Sequence, residues 1–407
     1  MPLVSPLWSR HVEEQAMMSA YGPAIGGVTV EMVDTFDGVG LEYAALRTSA
    51  VVLDQPHRAT LEIGGPDRID FLNRMVTQEF RAPAAYTSHK AFWLNRKGRI
   101  TADLRLIVLP DVVLADVDAH AAGETVATLG GYIITEDCAV RDVTGEWASL
   151  SVHGPRAGAV VSGAAGDPSL AALSPGSAGW ATIAGAGVLV ERDDPTGESG
   201  YEVRVRPGDA AAVYDALLGV RDDRGVAVAR RGGWRAFNTA RIEAGTPLFN
   251  IDFGPDNLPN ETGILRERVS FTKGCYLGQE IVARLHNLGK PKQVVVALRV
   301  ERRTAARAGG VDEGAVVMPL LPEAGSPVRA VPAGSPGAPE PLGSAGSVVG
   351  AVTSSTLSPM LGSSAVAFAA VRSDHSAAGT VLAVEAEGVA LRAVVQPGLR
   401  FWSPAGP

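Results

Sequence analysis

The sequence predicts an α+β chain that ends in a small all-β domain, and three observations carry that expectation. In the first part, two or three consecutive strand-like runs joined by tight turns lie between amphipathic helical stretches, a texture of antiparallel α+β rather than of a wound parallel sheet. The middle of the chain repeats that texture. After about Pro291 helical periodicity disappears, and short β-type runs recur at regular spacing, as in a small barrel or sandwich.

Residues 1–50 read as polar turns followed by a short helical piece around Leu41–Ser49. Ala59–Ile63 alternates as a strand, and Gly64-Gly65-Pro66-Asp67 supplies turn and helix-start chemistry. Ile69, Leu72, Met75 and Val76 then recur at helical spacing. Ala91–Leu94 and Arg99–Val108 are strands around the turn Asn95-Arg96-Lys97-Gly98, and Pro110-Asp111 turns the chain into Val112–Val117. A helix is expected over Ala119–Leu129. Further on, Ala148–Val152, Gly187–Glu191 and Tyr201–Val205 are strand-like, with a short helix opened by Gly154-Pro155. Ala210–Leu218 and Gly233–Glu243 are helical by period, the second stopped by Gly245. In the last part, Gln293–Val300, Ala315–Met318, Val348–Thr353, Ala365–Val371, Thr380–Val384 and Val389–Val395 are β-type runs. The stretch 322–347, dense in Pro, Gly, Ala and Ser, reads as a flexible loop or insertion.

A chain of 407 residues exceeds one compact core. The expected organisation is an α+β region over 1–288, in two halves of about 1–145 and 146–288, and a β-domain over 289–407. A net charge of −8 and a pI near 5.5 argue against a general affinity for nucleic acid. Two cysteines, Cys138 and Cys275, cannot make a disulfide framework, and the scattered histidines show no metal-ligand spacing, so no metal is expected. The N-terminus lacks a secretory pattern and no segment is apolar over the roughly 20 residues a membrane span needs, which points to the cytoplasm. Arg284, His286, Lys290 and Lys292 read as a solvated basic loop.

The sharpest local signal is Lys273-Gly274-Cys275-Tyr276-Leu277-Gly278-Gln279-Glu280. Glycines on both sides let the backbone turn tightly and a ligand approach Cys275. Lys273 would favour the reactive thiolate, and Gln279 and Glu280 offer an amide and a carboxylate to orient a partner. The bland alternative is a Gly-rich turn around an inert, buried thiol.

This string closely resembles the signature of the YgfZ family, a branch of the glycine-cleavage T-protein (aminomethyltransferase) superfamily. Other segments resemble the same superfamily: Ala45–Asp54, Lys97–Leu104, Thr196-Gly197-Glu198-Ser199-Gly200-Tyr201-Glu202, and Arg241-Ile242-Glu243-Ala244-Gly245. The resemblance spans roughly residues 40–290 and implies a T-protein-like folate-binding fold with a C-terminal barrel and tetrahydrofolate, or a derivative, as cofactor. It implies that Glu198 takes the paired N–H donors of the pterin edge, as a carboxylate takes an Arg fork, and that Arg241 holds the anionic glutamyl tail. Asp103 falls in the column where the T-protein carries its proton-handling acid; Thr101-Ala102 departs from the usual apolar residue and second acid. Pro195 replaces the aromatic residue before "TGE".

Two functions follow from the resemblance. The leading expectation is a tetrahydrofolate-binding accessory protein for assembly or repair of iron–sulfur enzymes, tRNA-modifying ones included, acting through Cys275. Its partners would be those enzymes or assembly proteins, with a small thiol as co-reactant, since a cluster needs about four ligands and one thiolate supplies one. The alternative is a folate-dependent aminomethyl or one-carbon transferase using Asp103.

Overall fold

A computed structural model describes residues 4–303, 319–331 and 346–404. The chain divides into two compact units: one holds Met1–Ala240 with Arg266–Ile281, the other Arg241–Leu265 with Val282–Pro407.

Among the described residues the first unit contains two large sheets beside a two-stranded hairpin. One is a five-stranded antiparallel sheet in the order Ser88–Leu94, Ile100–Val108, Val112–Asp118, Arg58–Gly64, Ala139–Asp142. The helix Ala119–Gly130 begins at Asp118, whose carboxylate accepts from the His120 amide and satisfies one of the orphan donors of the first turn. The other sheet has six strands in the order Ala178–Ile183, Ala186–Arg192, Gly200–Val205, Ala148–His153, Ala50–Asp54, Ala229–Arg231. All its pairings are antiparallel except the last, and it recruits Ala50–Asp54 from far upstream. The helices Ala157–Ala165 and Ala210–Gly219 bury Val160, Val161, Val213 and Leu217 in the same apolar cluster as Leu150, Val152, Val190 and Val203 of this sheet.

The second unit is built round a closed six-stranded barrel: Gln293–Val300, Ser364–Arg372, Val348–Ser358, Pro327–Ala330, Val381–Ala386 and Val389–Val395. Ala365, Ala367, Ala369 and Val371 alternate inward with period two, and their small side chains suit the narrow interior of a six-stranded closure.

Three expectations change. Residues 1–50 are more than turns: they hold the helix Trp8–Glu13 and a hairpin of Met17–Ala20 with Glu31–Thr35. The basic stretch after the cysteine motif is a loop only in part: Arg284 and His286 lie on the helix Gln279–Leu288, while Lys290 and Lys292 follow it in a loop. The Pro/Gly-rich stretch 322–347 is not a plain insertion, because Pro327–Ala330 pairs with strands on both sides and completes the barrel. Proline at the first residue of a strand is compatible with such pairing. Its remaining residues 332–345, and the expected strand Ala315–Met318, lie outside the described residues.

Candidate functional site

Asp103 sits at the one half-buried position of the otherwise buried strand Ile100–Val108. Its carboxylate meets Arg268, the last residue of the short helix Leu265–Arg268: Nε donates to Oδ1 at 2.9 Å and Nη2 lies 3.5 Å from Oδ2. The Arg268 side chain is 7% exposed and that of Asp103 19%. Burial would lower the Arg268 pKa, but Asp103 and Glu267 more than offset this and raise it. Arg268 also walls a cavity of about 430 Å³, with Glu79, Lys90, Arg192, Asp193 and Glu267 among its neighbours, a volume in the range of small-molecule sites.

Beneath this wall the two sheets of the first unit share a buried ionic cluster. Arg105 reaches Asp193 (2.7 Å), Glu191 (3.3 Å), Asp116 (3.4 Å) and Glu202 (3.7 Å). Arg204 reaches Asp116 (2.6 Å) and Glu191 (3.2 Å), Lys90 reaches Asp193 (2.6 Å), and Arg58 pairs with Asp116. Four cations thus face four carboxylates, which is how charges persist inside a fold. Burial would raise the Asp116 and Asp193 carboxyls, but the surrounding cations hold both well below the usual range. Glu202 is the exception: burial pushes it up to about 7, with Arg105 opposing and Asp116 adding to the rise.

The cysteine motif divides into structural and exposed parts. Lys273 is buried, and its ammonium donates to the carbonyls of Asn73 (2.6 Å), Val76 (2.7 Å) and Gln78 (2.9 Å). All three N–H bonds of a lysine ammonium are then occupied. The expectation that Lys273 activates the thiol is therefore replaced by a bracing role; burial lowers its pKa to about 8, opposed by Glu79. Tyr276 is buried, and Gln279 accepts from the Tyr276 amide at 3.3 Å, at the start of the helix Gln279–Leu288. Gly278 (φ +79°) packs on the Asn95–Gly98 turn, Gly274 has open space where a Cβ would be, and Glu280 is exposed. Cys275 is exposed and Cys138 half-buried.

Glu198 is 8% exposed and lies 3.6 Å from Arg47. Arg47 itself also donates to the carbonyls of Thr196 (2.9 Å) and Ala240 (3.3 Å). Burial raises the Glu198 pKa, with Arg47 opposing. Arg241 is fully buried in the second unit and pairs with Asp252 at 2.5 Å, while Asp252 also accepts from Thr353 and Ser354. Asp103 and Arg268 are brought together; Arg268 lines the cavity, whereas Asp103, Glu198 and Cys275 are not among its lining residues. Sequence reasoning missed Arg268 and the ionic cluster. One signal was present, since Asp103 and Arg105 put two charges on one face of an apolar strand. Among the described residues no group of His, Cys, Asp or Glu is arranged to hold a metal, and no helix is long and apolar enough to cross a membrane.

The family model described as the GCVT N-terminal domain matches residues 7–273, more than half of the chain. The chain belongs to the glycine cleavage T-protein (GCVT) family. A second model, the glycine cleavage T-protein C-terminal barrel domain, matches residues 330–399 of this GCVT member. An aminomethyltransferase of Symbiobacterium thermophilum is 28% identical over 98% of this chain and 97% of its own length. A probable aminomethyltransferase of Halobacterium salinarum is 28% identical over 96% of each. The crystal structure of glycine cleavage system aminomethyltransferase T from Bartonella henselae superposes with a TM-score of 0.79 at 23% identity, covering 98% of both chains. The T-protein fold of this GCVT chain is thereby shown.

Proposed function

We propose that this chain is a folate-dependent one-carbon transferase of the aminomethyl type, with tetrahydrofolate as cofactor and Asp103 as its acid–base residue. The observation that carries the reading is the Asp103 carboxylate, at the one half-buried position of its strand and fixed by Arg268, whose own side chain lines the neighbouring cavity. Relatives named aminomethyltransferase, aligned over nearly the whole chain, support it. When bound, tetrahydrofolate supplies the nitrogen that accepts the carbon unit. Asp103 accepts and returns the proton at that nitrogen. Glu198 suits the pterin edge: a nearly buried carboxylate with Arg47 3.6 Å away has lone pairs for two N–H donors. Arg241, paired with Asp252, is proposed to brace the loop that follows its helix instead of holding the glutamyl tail.

The test is transfer of an aminomethyl carbon to tetrahydrofolate. Asp103→Asn should lower turnover about 10²–10⁴-fold, the usual range for a lost acid–base group, with tetrahydrofolate affinity within a few-fold of wild type. Unchanged turnover removes Asp103 from the chemistry.

A second reading is kept for one observation: Cys275 is exposed within its YgfZ-like string. In that reading the chain is a tetrahydrofolate-binding accessory factor for iron–sulfur enzymes, and Cys275 acts with a partner protein or a small thiol. Full restoration of iron–sulfur enzyme activity by Cys275→Ala in a deletion strain would sink it.

A further inference from the structure

Asp103 is enclosed by a ring of bonds that closes through Arg268. Its strand partner in register is Phe92. The Phe92 amide donates to Thr77 Oγ1 at 2.8 Å, and Thr77 Oγ1 in turn donates to the Arg268 carbonyl at 2.6 Å. The Arg268 side chain then returns to Asp103. Thr77 is fully buried, its own carbonyl accepts from the Ser270 amide at 3.0 Å, and Lys273 ties down the carbonyls of Val76 and Gln78 on either side of it. The guanidinium is thus anchored at its backbone and at its tip.

We infer that Arg268 is the positioning residue for Asp103: it fixes one carboxylate oxygen through Nε and leaves the other for an N–H donor on the bound folate. The unequal distances, 2.9 Å to Oδ1 and 3.5 Å to Oδ2, are the basis, since 3.5 Å is beyond the usual N–H···O range. A charged hydrogen bond of this kind holds a single side-chain rotamer, and a reacting group that loses its orientation by even 1 Å loses rate steeply. The inference rests on the folate reading above and goes beyond it, because it assigns the orientation of the acid to a residue outside the motifs that suggested that reading.

The test uses the full chain, with Arg268→Met, Arg268→Lys, Thr77→Val and Asp103→Asn. Thermal melts first establish which variants fold; Arg268→Lys and Thr77→Val carry the test if Arg268→Met does not. Two readouts follow. In the transfer assay, Arg268→Met is expected to lower kcat about 10²-fold with KM within a few-fold, and the double variant with Asp103→Asn to be no slower than Asp103→Asn alone. Arg268→Lys, which keeps a donor but not the fork, should recover part of that loss, and Thr77→Val should lose about tenfold or less. In the second readout, protein carrying ¹³C-carboxyl aspartate is titrated with tetrahydrofolate, the Asp103 resonance being the one missing from Asp103→Asn. That resonance should move in wild type, and it should fail to move, or broaden, in Arg268→Met and Arg268→Lys.

Independent, additive effects of the Asp103 and Arg268 changes, or an Asp103 resonance that responds identically in the Arg268 variants, overturn the inference. Absence of wild-type turnover together with an Arg268-dependent shift overturns the transferase reading and leaves the inference standing. No tetrahydrofolate binding to wild type by calorimetry overturns both.

Discussion

Gly98 and Gly278 meet backbone to backbone: a Cβ on Gly278 would lie 2.9 Å from the Gly98 Cα and from the Asn95 carbonyl oxygen. Gly278 also has φ +79°, which an L side chain adopts only at a cost. The cysteine motif is therefore docked on the turn that leads into the Asp103 strand. Gly278→Ala should lower stability by about 1–3 kcal/mol, read from urea unfolding. Gly274→Ala, where a Cβ meets nothing within 4 Å, is the control, and a change within about 0.5 kcal/mol is expected there. Equal losses at both glycines would show that close approach is not what Gly278 provides.

Lys273 satisfies three carbonyls with one ammonium. Lys273→Met leaves those carbonyls without their donor, and a loss of about 3 kcal/mol is expected by chemical denaturation. Alkylation of Cys275 should proceed at the wild-type rate in the folded variant, since the lysine serves the backbone and not the thiol. A slowed thiol reaction would return Lys273 to the role of activating it.

Glu202 sets a pH dependence of stability. Folded, its carboxyl titrates near 7 rather than at the ordinary 4.5, mainly through burial. The folded state therefore binds a proton more tightly, so the contribution is fully present below about pH 4.5 and is lost as pH rises to 7. Asp116 and Asp193, depressed by their cations, act the other way and weaken the fold only as pH falls below the ordinary carboxylate range. Glu202→Gln should remove the decline between pH 5 and pH 7, and at pH 8 it should exceed wild type by up to about 3 kcal/mol. Parallel stability curves for the two proteins would refute this.

The two cysteines should differ in reactivity. Burial raises the Cys138 pKa and half-covers the thiol, whereas Cys275 is exposed. Iodoacetamide at pH 8 is expected to modify Cys275 about tenfold faster, read by peptide mass spectrometry. Equal rates would remove exposure as a reason to single out Cys275.

Much of the architecture was legible because it is local. The Asn95–Gly98 turn, the strand after it, and the helices Arg68–Met75 and Trp234–Ala244 follow from turn chemistry and periodicity, and they form within a residue or two of expectation. The strand Pro327–Ala330 escaped because composition suggested a loop, while the barrel needed a sixth strand to close. The candidate site was half legible. Asp103, Glu198 and Cys275 stand in recognisable strings, but what each touches is set by residues far along the chain: Arg268 is 165 positions from Asp103 and Arg47 is 149 from the Thr196 carbonyl. Single-sequence patterns report neighbours along the chain, and no pattern states that a lysine in a cysteine motif will face three carbonyls from the end of the Arg68–Met75 helix and the loop after it.

The Lys273 brace also imposes an order of events during synthesis. Its partners lie 195–200 residues upstream. At about 5–20 residues per second, the carbonyls of Asn73, Val76 and Gln78 leave the ribosome roughly 10–40 s before the amine that satisfies them. Over that interval the last turn of the Arg68–Met75 helix and the segment after it depend on water for those bonds. The loop after the Arg68–Met75 helix can thus become rigid only once about two-thirds of the chain has been made, when the segment carrying both Arg268 and Lys273 arrives and locks it.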